Sequence, residues 1–226
     1  TAPTTTTTTA PTTTTTTAPP NPILYTEGFT TSTAAWPAAW TTDGVAGTAT
    51  VVGGAGSLQI PDTAGAYVRA RLDGPAATAD TDVTVTYQWA TNAPAAYLNV
   101  YLRGSGGWSN AYRPRTGIGI ELLSSSGTVS VRSAVNGLVT TLQTQAGAQA
   151  VTTQRQRLRI RMVGSTLSYK IWLDGQAEPA AWKATTTNST VAGAGRFHLS
   201  VVRASANVGA KSVAIDDVVV TDGTTP

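Results

Sequence analysis

From Ile23 onward apolar and polar residues alternate with a period of two, the pattern of half-buried strands. DVTVTYQWA places Val83, Val85, Tyr87 and Trp89 on one face and Asp82, Thr84, Thr86 and Gln88 on the other. AYLNVYLRG sets Leu98, Val100 and Leu102 against Tyr97, Asn99, Tyr101 and Arg103. GIGIELL sets Ile118, Ile120 and Leu122 against Gly117, Gly119 and Glu121, and TVSVRSAV adds Val129, Val131 and Val135. RQRLRIRM, VGST and LSYKIWLDG predict a hairpin turning at Gly164. FHLSVV follows, and SVAIDDVVVTD, apolar on both faces, predicts a fully buried strand. Roughly a dozen short strands with turn residues between them predict an antiparallel β-sandwich. Only short helical turns near Thr33 to Ala39 are expected beside them.

Composition agrees. Thr and Val are abundant, and β-branched side chains suit a pleated surface. Glu occurs only at 27, 121 and 178, too sparsely for ordinary surface helices. The absence of cysteine excludes disulfides and thiolate chemistry, and no apolar run is long enough to span a membrane. The formal charge of +3 is too mild for nucleic-acid binding by bulk field, although local arginine stripes still matter.

The first 22 residues are different. TAPTTTTTTAPTTTTTTAPPNP repeats APTTTTTT and has no residue that drives packing. It predicts an extended, semi-stiff linker over 1–22, tethering one recognition module over 23–226. A start at Thr1 without methionine fits a mature product or an excised piece.

Catalytic chemistry finds little support. Glycoside hydrolysis needs two carboxylates across the scissile bond, and no close carboxylate pair shares a strand face here. His198, the only histidine, faces away from Phe197 and Leu199 and reads as a hydrogen-bonding residue rather than a base. Glu27 and Asp216 are thin ground for a Ca²⁺ site, so no metal and no cofactor is predicted.

Two outward faces are candidate binding surfaces. Tyr97, Asn99, Tyr101 and Arg103 share one face, and Glu121, flanked by Gly117 and Gly119, is placed to meet them. Rings for stacking, directional polar groups and room at the glycines suit a sugar. The second face gathers Arg157, Arg159, Arg161, Lys170 and Trp172, a basic and aromatic strip suited to an anionic polymer or an acidic protein. Alternation makes Trp172 the exposed tryptophan of WLDGQAEPAAWK, with Trp182 pinning the excursion back on the sheet.

That stretch also carries a resemblance. WLDGQAEPAAWKATTTNST, with RLRIRMVGSTLSYKI before it and IDDVVVT at the end, resembles a concanavalin A-like, laminin-G-like jelly-roll module. Such modules occur in tail proteins of phages infecting actinobacteria and in secreted actinobacterial proteins. Trp172, Gly175, Glu178, Pro179 and Trp182 match its W-x-D/A-G-x-x-E-P-A-A-W pattern. The resemblance is best over 155–221 and looser before. It implies a two-sheet sandwich, usually non-catalytic, with glycan binding or adhesion as the common role. The tight E-x-D-x-x-E strand of the related hydrolases is absent. The expectation is therefore a displayed recognition domain of an actinophage tail protein, outside the cell or on the virion surface. Its expected partners are a cell-surface or extracellular polysaccharide and other virion subunits or an upstream polypeptide, not nucleic acid or membrane. The alternatives are a carbohydrate-binding module of a secreted protein and an architectural virion domain without a glycan ligand.

Overall fold

The computed structural model describes residues 21–30, 34–92, 95–109, 112–204 and 209–224. The linker expected over 1–22 lies outside these except for Asn21 and Pro22, and Thr33 also lies outside. The carbonyl of Pro22 already accepts a hydrogen bond from the Asp222 amide, so the sheet begins there.

Fifteen strands and no helix occur among the described residues. In chain order they are β1 (Ile23–Glu27), β2 (Trp40–Val45), β3 (Thr48–Val52), β4 (Ala55–Ile60) and β5 (Tyr67–Leu72). Then come β6 (Thr81–Trp89), β7 (Ala96–Ser109), β8 (Arg113–Leu123), β9 (Val129–Val135) and β10 (Leu138–Gln145). The last are β11 (Gln156–Val163), β12 (Thr166–Leu173), β13 (Ala184–Thr187), β14 (Arg196–Arg203) and β15 (Lys211–Asp222). They form two antiparallel sheets. The eight-stranded sheet runs β13-β12-β11-β6-β15-β4-β3, with β1 also on β15; the seven-stranded sheet runs β10-β9-β8-β7-β14-β5-β2.

Alternation chose the inward faces correctly. Val83, Val85, Tyr87 and Trp89 meet Leu98, Val100, Leu102, Ile118, Ile120 and Leu122 in one core, with Leu158, Ile160, Met162, Leu167 and Tyr169. Each such side chain contributes about 1.5–3 kcal/mol by leaving water. The predicted hairpin is β11–β12, with Val163 opposite Thr166 and Gly164 at φ +55°, a conformation that favours glycine.

Alternation failed where a bulge shifts its phase. The strand expected to be buried on both faces is instead two half-buried segments. Val213 and Ile215 point inward, Asp217 adopts φ +46° at a bulge, and Val218 and Val220 then take the inward positions. The IDDVVV run therefore holds one extra residue, not a second apolar face.

Candidate functional site

The β7–β8 hairpin builds the site by covering its own sheet. Regular pairing of β7 with β8 ends at Leu102–Ile118, and register shifts follow on both sides of Ser105. Arg103 at φ +53° and Gly106 and Gly107 at φ +72° and +78° redirect the chain. Trp108 then stands edge-on to His198 of β14 at 4.7 Å, while the Arg69 guanidinium of β5 lies 4.8 Å over its ring. Across the hairpin, the Tyr112 carbonyl accepts a hydrogen bond from Ser200 Oγ at 2.7 Å, and the Arg113 guanidinium lies 4.5 Å over the Tyr112 ring. Trp108 and Tyr112 remain half-exposed.

Beneath the hairpin, register sets two rows across the seven-stranded sheet. One runs Arg71, His198, Tyr101, Gly119, Arg132; the other runs Asp43, Arg69, Ser200, Asn99, Glu121, Ser130. Opposed residues share a face, so these side chains form one polar layer. Glu121, 1% exposed, is its centre. It accepts from Tyr101 Oη at 3.0 Å and Arg113 Nε, and pairs with Arg132 Nε at 2.6 Å. Burial, and secondarily the Glu121 charge, push the Tyr101 hydroxyl far up. Burial opposes charge on Arg113, but the hydrogen bond and charge of Glu121 outweigh it and raise its pKa. Asn99 donates to Ser200 Oγ at 3.0 Å.

His198 is 2% exposed, with Nδ1 3.1 Å from the Arg196 carbonyl, so that nitrogen carries the proton. Burial, reinforced by the Arg71 and Arg196 charges and opposed by the Arg196 carbonyl and Asp73, pushes its pKa down to about 4. The ring is neutral at pH 7.

The structure thus brings Asn99, Tyr101 and Glu121 together but closes them off; among the residues expected to bind on this face, only Tyr97 is even half-exposed. Arg103 is a correction. The bulge turns it away from the tyrosine face, and its guanidinium bonds the carbonyls of Ala79, Val191 and Gly164 at 2.5–2.8 Å, with Asp80 at 3.3 Å. It staples three loops. The room expected at the glycines is also filled. A Cβ on Gly119 would lie 2.0 Å from the Val100 carbonyl, and one on Gly117 2.8 Å from Pro114 Cγ. Both glycines serve close packing, not a ligand.

The basic strip on the eight-stranded sheet is corrected as well, because it is neutralised in place. Arg157 pairs with Asp174 at 2.7 Å, Arg159 with Asp82 and Glu178 at 2.6 and 2.7 Å, Arg161 with Asp82 at 3.9 Å, and Lys170 with Glu178 at 2.6 Å. Arg155 pairs with Asp174, Asp216 and Asp217. Five cations meet five carboxylates. The Asp82 hydrogen bond holds Arg159 charged, and Lys170 and Arg159 outweigh burial to hold Glu178 below the usual carboxylate range. Trp172 is only 9% exposed. Trp182 does pin the excursion, 4.7 Å from Lys170 Nζ and 5.6 Å from Arg159, yet it is the tryptophan left half in solvent. The pinning stands and only the exposures of the two tryptophans are exchanged.

Sequence reading missed Trp108, Tyr112, Arg69, Arg71, Arg113, Arg132 and Arg196. The one signal was GSGGW directly after Leu102 and Arg103, where alternation stops and three glycines precede a large ring. Glu27, considered for a cation, is held by Tyr25 Oη and the Phe29 amide, both at 2.8 Å, while Asp216 bonds Arg155.

No protein-family model and no curated protein matches this chain. Solved structures do. A Bacillus licheniformis β-glucanase superposes with a TM-score of 0.62 at 12% identity, covering 87% of this chain and 97% of that one. The exoplasmic/lumenal domain of VIP36, in a form bound to Ca²⁺ and Man3GlcNAc, gives 0.60 at 13% identity, covering 83% and 85%. The CBM2 module of the evolved Dit protein of Lactobacillus casei BL23 phage J-1 gives 0.59 at 12% identity, covering 90% and 97%. The fold is a concanavalin A-like jelly roll. At these identities the likeness carries the architecture alone, and the hairpin-covered face has to be read from its own residues.

Proposed function

We propose that this jelly roll is a non-catalytic recognition module that binds a cell-surface polysaccharide through the outer face of its seven-stranded sheet. The observation that carries the reading is the pair Trp108 and Tyr112, half-exposed rings each held by a guanidinium above a buried polar layer. Fixed aromatic surfaces beside arginine donors suit stacking on a pyranose with hydrogen bonds to its hydroxyls. The surroundings of Glu121 support the non-catalytic reading. Hydrolysis calls for two carboxylates flanking the scissile bond, whereas Glu121 is enclosed and engaged at both oxygens, and Asp43 and Asp73 on the same face are paired with arginines.

The fold is compatible with this role, since the similar proteins include the VIP36 exoplasmic/lumenal domain with bound Man3GlcNAc and a phage CBM2 module. In the same reading the module is displayed on a virion tail, outside the cell, with residues 1–22 as the tether to upstream polypeptide or virion subunits; the likeness in fold to a phage J-1 module is compatible with it. A glycan array with the full chain tests the reading. Binding that Trp108→Ala removes while the melting temperature holds is the expected result; binding indifferent to Trp108 and Tyr112 would overturn it, as would reducing-end release from a bound glycan.

A further inference from the structure

The chain's charge is unevenly placed. Its 15 Lys and Arg and 12 Asp and Glu leave +3. The strip on the eight-stranded sheet is balanced, five against five, and Arg103, Lys183, Arg203 and Lys211 are matched in number by Glu27, Asp62, Asp80 and Asp222. What remains lies on the seven-stranded sheet and its covering hairpin. Arg69, Arg71, Arg113, Arg115, Arg132 and Arg196 stand there against Asp43, Asp73 and Glu121. These six cations and three carboxylates carry the whole excess of three.

Part of this excess borders a depression of about 230 Å³ between the bulged stretch of β7 at Gly104 to Gly107 and the segment leading into β14. Arg71, Arg196, His198 and Gly104 line it, with Gly106 and Gly107 on the hairpin side. Asp73 is held by Arg71 through Nε at 2.7 Å and Nη2 at 3.0 Å and also meets Arg196 Nε at 3.3 Å, so one carboxylate serves two guanidiniums and leaves Arg71 Nη1 and Arg196 Nη2 without a bond to it. The Asp73 and Pro75 carbonyls accept Arg196 Nη1 at 2.7 and 3.0 Å and fix its position. Both arginine side chains stay about one-third exposed. The glycine wall is obligatory, because a Cβ on Gly104 would lie 2.0 Å from His198 Nδ1. The volume lies below the ~300–1,000 Å³ that encloses drug-sized ligands, which suits a single substituted sugar residue.

We propose that the glycan this face binds is anionic, its carboxylate or phosphate entering the depression between Arg71 and Arg196 while the adjoining ring stacks on Trp108. This rests on the glycan reading above and names the ligand's class. A neutral sugar gains nothing from an excess of three positive charges held in place. An oxyanion gains charge-assisted hydrogen bonds from planar donors that are already oriented. One depression receives one anionic group per repeat, unlike the run of phosphate contacts that grips a nucleic acid.

The test measures binding of the full chain to polygalacturonate, to poly(glycerol phosphate), to dextran and to random duplex DNA. We expect one or both anionic saccharides to bind, with affinity falling about tenfold or more from about 50 to about 500 mM NaCl. Which one binds identifies carboxylate or phosphate as the source. The Arg71→Gln/Arg196→Gln pair should lose about tenfold or more of that affinity, and Arg157→Ala on the other sheet should lose none. Should the double variant melt early, Arg115→Ala, exposed on the hairpin, should still weaken binding and flatten the salt dependence. Salt-insensitive dextran binding that needs Trp108 overturns the anionic class and leaves the glycan site standing. Equal binding of DNA, or equal loss on Arg157→Ala, also overturns the class. A full array with no saccharide bound removes both readings.

Discussion

The outer faces of the two sheets carry similar residues and do different things with them. On the eight-stranded sheet, Arg155, Arg157, Arg159, Arg161 and Lys170 are matched in number by Asp82, Asp174, Glu178, Asp216 and Asp217, several of them shared. On the seven-stranded sheet, Glu121 is shared by Arg113 and Arg132, and Asp73 by Arg71 and Arg196. The first is a closed ionic ladder in which every cation meets a carboxylate; Asp82 and Lys170 are buried in it, and its outer pairs, such as Arg157 with Asp174, are partly exposed and of the kind worth little to stability. The second is partly buried under a hairpin, where an unpaired charge is costly and excess charge is felt by a ligand. Whether a row of arginines binds something depends on what stands beside it.

The largest expected break in this symmetry is at Glu121. Glu121→Gln leaves Arg113 and Arg132 facing one another in a buried layer and should cost about 3–5 kcal/mol by denaturant unfolding. Glu178→Gln removes the corresponding carboxylate of the ladder, whose side chain is 38% exposed, and should cost under about 1 kcal/mol. Comparable losses would mean that the two faces do not differ in kind.

Between pH 7 and pH 5 acidification should act chiefly on the seven-stranded sheet, since the sole histidine lies there and the lowered carboxylates of the ladder, Asp174 and Glu178, lose their charge only at lower pH. His198 has a folded pKa near 4 against an ordinary 6.5, with Arg71, Asp73 and Arg196 as its charged neighbours. Between these values the unfolded chain takes up a proton that the folded chain excludes. Stability is therefore full above pH 6.5 and falls as pH drops toward 4, by about 2 kcal/mol at pH 5. Melting curves at pH 7 and pH 5 check this, and His198→Gln should remove the difference.

Binding should separate the faces at similar size. Trp108→Ala should cost about 2 kcal/mol in glycan affinity, and Trp182→Ala, half-exposed on the balanced ladder, should cost none. The smallest effect concerns the tether. We propose that residues 23–226 fold alone, so removing residues 1–22 should leave the melting temperature nearly unchanged; a lost cooperative transition would show that the module extends into that segment.

Much of the fold was legible because burial imposes alternation on every strand. The inward sets around Val85, Val100, Ile120 and Ile160 and the turn at Gly164 could be read directly. Failure came at Arg103 and Asp217, the positive-φ residues at two bulges, because a period of two has no term for one added residue. At the candidate site, alternation correctly sent Asn99, Tyr101 and Glu121 outward. It could not tell an outward side chain from an exposed one, because the cover arrives with Trp108 and Tyr112 from further along the same hairpin.

The sequence by itself therefore determined the all-β class, the inward faces, the lack of a strand bearing paired carboxylates and the net charge of +3. Only the tertiary structure decided where that charge is felt. Asp82 reaches Arg159 from 77 residues away, and Asp216 reaches Arg155 from 61. Pairing over such separations is set by strand order and register, which bring the partners within a few ångströms, and neither is written in the local pattern of any one strand.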